Sequence, residues 1–542
     1  MAVVLFVLVA AVVLVVYLVL HSGASARAEA TRYVNDWARG DYPAMYHLLS
    51  PASRRGISLR RFKSDYLTAL DTATATALHP GHVSGGGRAV SVAFVVSTRL
   101  FGPLRQTLDV PIGSGPAGPE VRFSGVLLFP GLRAGEHLSR RSSLGRRGSI
   151  LADDGTPLAE GPSQTSPLPG VAGEIAGTLG PIPLTQTSQY AALGYPANAQ
   201  VGQDGLELIF QQQLAGRPGA TLLAGRRVLS QVPVRNGTTV HTTIDPKVEE
   251  AAISALGGRY AGVTVMDPRT GALLGLAGIA FSAIQPPGST MKIITSTAAL
   301  QAHLVTLGTQ FPVQTSATID GYTMQNASGE ACGGSLLNAF AVSCNSVFAP
   351  LGAKLGGRRL VSTAERFGFN QPTGIAGALE STIPSVADIG SSLAVASSAI
   401  GQGEVQASTL EMVDVGATIA DAGKRPIPTF VYGAAPRFVS VTTPTVASEV
   451  QQMMVAVVRY GTGTSAQIPG VEVAGKTGTA ELANTAGKSN ASKYTDAWFV
   501  GYAPVGDAKV VACALFPSAG YGASTAAPAV ASVLEAALNA GK

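Results

Sequence analysis

The chain opens with MAVVLFVLVAAVVLVVYLVL, an unbroken apolar run of 20 residues, and no Lys or Arg appears before Arg27. A helix needs about 20 such residues to cross a bilayer, whereas the apolar core of a signal peptide holds about 7 to 15. The run is therefore expected to be a membrane anchor over residues 1–21. Cleavage after the small residues Ala24-Ser25-Ala26 is the competing reading. No other segment reaches spanning length, so the remainder is expected on one side, the extracytoplasmic face of a cell membrane.

At 542 residues the chain is too long for one hydrophobic core and calls for three or four units. A net charge of +5, with no basic run interleaved with aromatics, leaves nucleic acid without an electrostatic footprint. The seven histidines are scattered, and Cys332, Cys344 and Cys513 have neither metal spacing nor the density of a disulfide scaffold. No metal or other cofactor is expected. Cys332 could still bridge Cys344, while Cys513, within KVVACALF, reads as a buried strand residue.

After the apolar run, ARAEATRYVNDWARGDYPAMYHLL sets Ala30, Tyr33, Val34, Trp37, Met45, Tyr46 and Leu49 at helical spacing around Gly40-Asp41, which predicts two short amphipathic helices. From Ala89 to Phe129, apolar runs ending in VRFSGVLLF alternate with Gly and Pro clusters, as in a small antiparallel sheet. A stretch rich in Gly, Pro, Ser and Thr, from RRSSLGRRGSILADDG to Asn236-Gly237, reads as an extended pedestal. Beyond it, TTVHTTIDPKVEEAAISAL predicts a strand and then a helix with Asp245 as N-cap and Pro246 at its first position. YAGVTVMDPRTGALLGLAG predicts a hairpin. Three late strand-like runs, VEVAGKTGTAEL, DAWFVGYAPV and KVVACALF, and the closing helix AAPAVASVLEAALNA complete one antiparallel sheet flanked by helices.

Residues 470 to 477 fit G-x-x-x-x-G-K-[ST], the phosphate loop of nucleotide hydrolases. That loop requires a strand before its first glycine and a helix from its lysine. Here SAQIP precedes, Val471-Glu472-Val473 alternates like a strand, and Gly478 follows Thr477, so the reading fails. Lys476-Thr477-Gly478 is also the K-T-G of serine acyl enzymes. Ser289-Thr290-Met291-Lys292, the only S-x-x-K, follows Pro286-Pro287-Gly288 and opens a buried helix, which puts Lys292 on the face of Ser289. A serine hydroxyl needs a base to take its proton, and a lysine serves only if burial and nearby positive charge lower its pKa. Ser343-Cys344-Asn345 then supplies S-x-N between the other two. Each triplet alone has a bland reading, Ser289 as a simple helix cap among them; the three in order do not.

In that order the triplets resemble those of the penicillin-binding proteins, the D,D-transpeptidases that cross-link peptidoglycan, and more closely the class B high-molecular-mass group. TIDPKVEEAA, VMDPRTGALLGLAG, PPGSTMK, AIGQGEVQASTLEMV, AGKTGTAE and DAWFVGYAP stand in family order. GQDGLELIFQQQLAGRPG resembles the pedestal motif G-x-x-G-L-E. Arg147-Gly148-Ser149-Ile150 resembles the start of R-G-x-I-x-D-R-x-G, with Ala152 and Asp153 in place of its Asp and Arg. Residues 24–137 resemble the cone-shaped, nuclear-transport-factor-like domain of methicillin-resistance-type members. The resemblance implies a multidomain α+β chain: anchor 1–21, N-terminal domain 24–137, dimerisation-type pedestal 138–236, and a serine β-lactamase-like transpeptidase domain 239–542 built on a five-stranded antiparallel sheet.

It also implies a chemistry. Ser289 would attack the penultimate D-alanine of a stem peptide ending in D-Ala-D-Ala, with Lys292 taking its proton. Ser343 would relay a proton to the departing D-alanine, and Asn345 would hydrogen-bond the substrate and Lys292. Backbone N–H groups of Ser289 and Thr479 would form the oxyanion hole. Lys476 would supply positive charge, Thr477 and Thr479 would hold the terminal carboxylate, and Gly478 would leave room for a substrate lying along the strand. β-Lactams would acylate Ser289. No glycosyltransferase domain is visible in the sequence, so a separate glycosyltransferase is an expected partner. The alternatives are a D,D-carboxypeptidase and, in a different class, a β-lactam sensor or a scaffold for wall synthases. A serine β-lactamase would share the triplets without needing an anchor and two further domains.

Overall fold

The computed structural model describes residues 23–541 except 117, 162 and 482–493. The expected anchor, residues 1–21, lies outside the described residues, among which no helix is long and apolar enough to cross a membrane. Two compact units emerge. One draws on Met1–Arg147, Gly180–Val201 and Ala215–Thr238, the other on Gly148–Leu179, Gly202–Leu214 and Thr239–Lys542, so the 138–236 stretch contributes to both.

In the first unit, α1 (23–39) and α2 (Tyr42–His47) flank Gly40-Asp41 as expected, and the Asp41 carboxylate accepts from the Ala44 N–H at 3.0 Å. Two helices that the apolar pattern did not announce follow, α3 (Pro51–Gly56) and α4 (Leu59–Thr72), capped by the Ser50 and Ser58 hydroxyls. The sheet starts at β1 (Ala75–Gly86), earlier than the expected Ala89, and runs through β2 (Ala89–Thr98), β3 (Gly102–Gly115) and β4 (Gly118–Val121) in sequential antiparallel order. Alternation along β2 sends Val90, Val92, Phe94 and Val96 into one cluster with Tyr33, Trp37, Phe62 and Tyr66. VRFSGVLLF is strand only to Val121. Gly125–Leu128 is a 3₁₀ turn that buries Leu127, because an apolar run without alternation fills a buried turn as readily as a strand. Leu138–Ser143, Gly219–Ala224 and Arg227–Val232 add a three-stranded sheet.

In the second unit, Asp245 caps α5 (Pro246–Leu256) by accepting from the Lys247 and Val248 N–H groups, and Gly257 at φ 59° ends the helix. The expected hairpin follows as β5 (Gly262–Asp267) and β6 (Ala272–Gly278). A largely helical body includes α6 (Lys292–Gln301), α7 (Leu336–Ala341), α8 (Asn345–Leu355), α9 (Thr409–Ala420) and α10 (Pro444–Arg459). The late strands are β7 (Ala474–Ala480), β8 (Asp496–Ala503) and β9 (Val510–Phe516), and α11 (Ala526–Ala540) closes the chain. The five strands lie in the order β6-β5-β9-β8-β7, antiparallel throughout. Ala497, Phe499 and Phe516 pack with α5 and α11 on one face, while Trp498, Val500 and Tyr502 join the helical body on the other. Cys513 is buried in β9 as expected.

The two edges of this sheet differ. Along β6 the N–H groups of Leu276 and Gly278 are taken by the Glu249 and Glu174 carboxylates, which closes that edge to another strand. β7, at the opposite edge, has no strand beyond it among the described residues.

Candidate active site

Ser289 sits in a one-turn 3₁₀ segment, Gly288–Met291, that leads into α6, rather than on the α-helix itself. Close backbone contact fixes this turn. Gly288, at φ +53°, donates its N–H to the Gly401 carbonyl at 2.9 Å, and a Cβ added to it would stand 2.9 Å from the Thr479 carbonyl oxygen. Only glycine meets both conditions without strain. Ser289 itself is half-buried and reachable, whereas Lys292 has no exposed surface.

The first and third triplets converge on the hydroxyl of the second. Lys292 Nζ donates to the Ser343 carbonyl and to Asn345 Oδ1, both at 2.7 Å, and lies 3.3 Å from Ser343 Oγ. Lys476 Nζ donates to the same Ser343 Oγ at 2.9 Å. No hydrogen bond joins Lys292 to Ser289 among the described residues. Lys292 Nζ lies 5.6 Å from the centre of the Phe348 ring and Lys476 Nζ 5.4 Å from that of Phe340, so each amine has an aromatic ring near it. Burial pushes both lysines down. Lys292 falls well below the usual lysine range, with the Lys476 charge adding to the effect of burial, and Lys476 falls to about 7.

These shifts have a chemical consequence. A neutral Lys292 has two N–H donors, which the two acceptors at 2.7 Å use, and its lone pair is then free to receive a hydroxyl proton. Ser343, placed between two amines, can pass a proton between groups on either side.

The loop that presents Ser343 is held in an uncommon shape. Ser343 adopts φ 61°, which costs a non-glycine residue about 1–3 kcal/mol. Two features that sequence reasoning undervalued or missed over-determine it. Cys344, the middle residue of S-x-N, is disulfide-bonded to Cys332. Asn326, buried, accepts from the Ser346 N–H at 2.7 Å and donates to the Gln314 and Glu330 carbonyls at 2.8 and 2.9 Å and to Ser346 Oγ at 3.1 Å. Asn345 in turn donates to the Gln325 carbonyl at 3.0 Å. Nothing in the sequence marks Asn326 beyond its place in a turn-like stretch before Gly329.

On the edge strand, Thr477 shares a 2.6 Å hydrogen bond with the hydroxyl of Thr462, a second residue that no motif singled out. Thr479 Oγ1 accepts from the Gly522 N–H at 3.3 Å. Gly478 needs correction as to cause. A Cβ there would meet the Pro287 carbonyl oxygen and Trp498 Cβ, both at 2.7 Å, and Thr290 Cγ2 at 3.0 Å. The missing side chain thus lets the strand lie against the turn that carries Ser289; the space it leaves is filled by protein. Among the described residues no cluster of three His, Cys, Asp or Glu side chains is arranged to hold a metal ion.

Residues 261–535 match the family described as penicillin binding protein transpeptidase domain, 166–241 match the penicillin-binding protein dimerisation domain, and 25–135 match the NTF2-like N-terminal transpeptidase domain. The chain is 30% identical to the peptidoglycan D,D-transpeptidase PbpA of Mycolicibacterium smegmatis over 420 residues, covering 65% of this chain and 82% of that one. It is 27% identical to stage V sporulation protein D of Bacillus subtilis over 405 residues, 63% of this chain and 61% of that one. Among solved structures, the D,D-transpeptidase domain of a peptidoglycan glycosyltransferase from Eggerthella lenta gives a TM-score of 0.59 at 28% identity, covering 73% of this chain and 99% of that one. Penicillin-binding protein A from Mycobacterium tuberculosis shares the fold, with a TM-score of 0.57 at 24% identity and the same coverage.

Proposed function

Because the chain belongs to the penicillin-binding protein transpeptidase family, we propose that it is a membrane-anchored peptidoglycan D,D-transpeptidase that works through an acyl enzyme on Ser289. The observation that carries this reading is the convergence of Lys292 and Lys476 on Ser343, beside a reachable serine packed against β7, which has no strand beyond it among the described residues.

Ser289 Oγ attacks the carbonyl of the penultimate D-alanine and its proton passes to the neutral Lys292. The amide bond breaks, Ser343 delivers a proton to the departing D-alanine, and the peptide remains esterified to Ser289. The N–H groups of Ser289 and Thr479 stabilise the oxyanion. Thr477 and Thr479 hold the terminal carboxylate, with Lys476 charged at and below about pH 7 to assist. The amine of a second stem peptide then attacks the ester, forming the cross-link and freeing Ser289. A β-lactam enters the same first step and leaves slowly. The first 20 residues hold the catalytic unit at the outer face of the membrane, and a separate glycosyltransferase supplies the glycan strands.

The test is labelling with a fluorescent penicillin, followed by mass spectrometry of the modified peptide. Label is expected on Ser289 and absent from Ser289→Ala. Label on another residue, or label retained by Ser289→Ala, removes the mechanism.

A further inference from the structure

The net charge of +5 is unevenly distributed. The unit built from Met1–Arg147, Gly180–Val201 and Ala215–Thr238 holds 21 Lys and Arg against 8 Asp and Glu, a net +13; the other unit holds 17 against 25, a net −8. The excess is densest on α3 and α4, where Arg54, Arg55, Arg60, Arg61 and Lys63 are all exposed. Arg61 pairs with Asp65 at 2.7 Å, and the other four have no ion-pair partner among the described residues. Arg60 and Arg61 stand in the first turn of α4, which carries no acid. Cations at the positive end of a helix work against its stability, so local folding does not account for them.

The helix has two distinct faces. Phe62, Tyr66 and Ala69 enter the core, while Leu59, Arg60, Lys63 and Leu67 share another stripe, where the two leucines are 38% and 45% exposed. Asp71, one turn past Leu67, is the acid at its far end. Exposed leucines interleaved with cations suit a lipid surface, the apolar side chains entering the acyl boundary while the cations meet phosphate headgroups. A polyanion in solution would use the cations and leave the leucines in water. The apolar run of the sequence stops at Leu20, and the described residues start at 23, within α1. If that run is an anchor, a reading on which this inference rests, the basic unit is tethered beside the bilayer.

We propose that the α3–α4 surface docks on the anionic phospholipid face of the membrane, with Leu59 and Leu67 inserted and Arg54, Arg55, Arg60 and Lys63 on headgroup phosphates.

The full chain, with Leu67→Cys carrying an environment-sensitive dye, is placed in nanodiscs of phosphatidylcholine alone or with phosphatidylglycerol. The native cysteines are a disulfide pair and the buried Cys513, so the dye reports position 67. Docking predicts blue-shifted emission only with phosphatidylglycerol, reversed by high salt. Each charge reversal at Arg60 or Lys63 is expected to lower the docked population about five-fold or more. The double reversal, Arg60→Glu with Lys63→Glu, should still be acylated by penicillin at the wild-type rate; if it is not, Arg60→Gln with Lys63→Gln takes its place. Equal emission in both lipids, or a shift that survives the charge changes, overturns the docking. A chain that does not enter nanodiscs overturns the anchor instead. The free labelled chain is then mixed with vesicles of the two compositions, where a shift with the anionic ones upholds the docking and its absence ends it.

Discussion

The Lys476 amine stands 2.9 Å from the Ser343 hydroxyl, a hydroxyl that Lys292 also approaches. Neither lysine has an ion-pair partner among the described residues, and both are fully buried. Two amines without a carboxylate between them are costly to keep charged, and that cost is what makes one of them available as a base.

Replacing Lys476 by Met should therefore trade activity for stability. The folded pKa of about 7 lies below the ordinary 10.5, so between those values the unfolded chain holds a proton that the folded one lacks. Stability then rises as pH climbs through that window and is reduced by a few kcal/mol near pH 7. Lys476→Met is expected to melt several degrees higher at pH 7 and to be acylated by penicillin at least about 100-fold more slowly. A variant that melts at or below the wild type at pH 7 contradicts the linkage.

Asn326 should act on rate as well as stability. Removing its hydrogen bonds in Asn326→Ala is expected to lower stability by about 1–3 kcal/mol and to slow acylation about ten-fold, because the Ser343 loop loses its support. Unchanged acylation per folded molecule in stopped-flow measurements would reduce Asn326 to a purely structural residue.

The Cys332–Cys344 bridge joins residues 12 apart in sequence. A loop of that size stabilises by about 3 kcal/mol in the chain-entropy account. Cys332→Ser with Cys344→Ser, or reductant on the wild type, should lower the melting temperature of the catalytic unit and slow acylation together. A reductant that leaves both unchanged would show that Asn326 alone suffices to hold the loop.

Glu249 predicts a slope opposite to that of Lys476. Burial raises its pKa from 4.5 to about 8, so the folded chain keeps a proton that the unfolded one loses, and stability falls as pH rises through that interval. Glu249→Gln keeps an acceptor for the Leu276 N–H and removes the titration. Melts across the interval should show the variant gaining on the wild type toward pH 8; parallel curves would place the titration elsewhere.

Local rules made much of this legible. The Asp245-Pro246 cap, the hairpin of β5 and β6 and the three late strands each carry their signal within a dozen residues, and so do the three catalytic triplets. What stayed hidden depends on contacts between distant segments. α3 and α4 escape a reading of apolar periodicity because α3 buries no residue and α4 buries only Phe62, Tyr66 and Ala69. Asn326 and Thr462 gain their roles from partners about 15 to 20 positions away, which no short pattern encodes. That Gly478 must lack a side chain is legible, but the neighbour it makes room for is not, since a sequence does not show which side of a strand is already occupied.

Gly288, Gly401 and Gly478 bring main chain against main chain around Ser289, and a Cβ at any of the three would collide with fixed atoms. Selection under a covalent inhibitor works by exchanging side chains, and at these three positions none can be added without moving the main chain around Ser289. Substitutions that reshape the approach to Ser289 must then fall at other positions, where a side chain already stands.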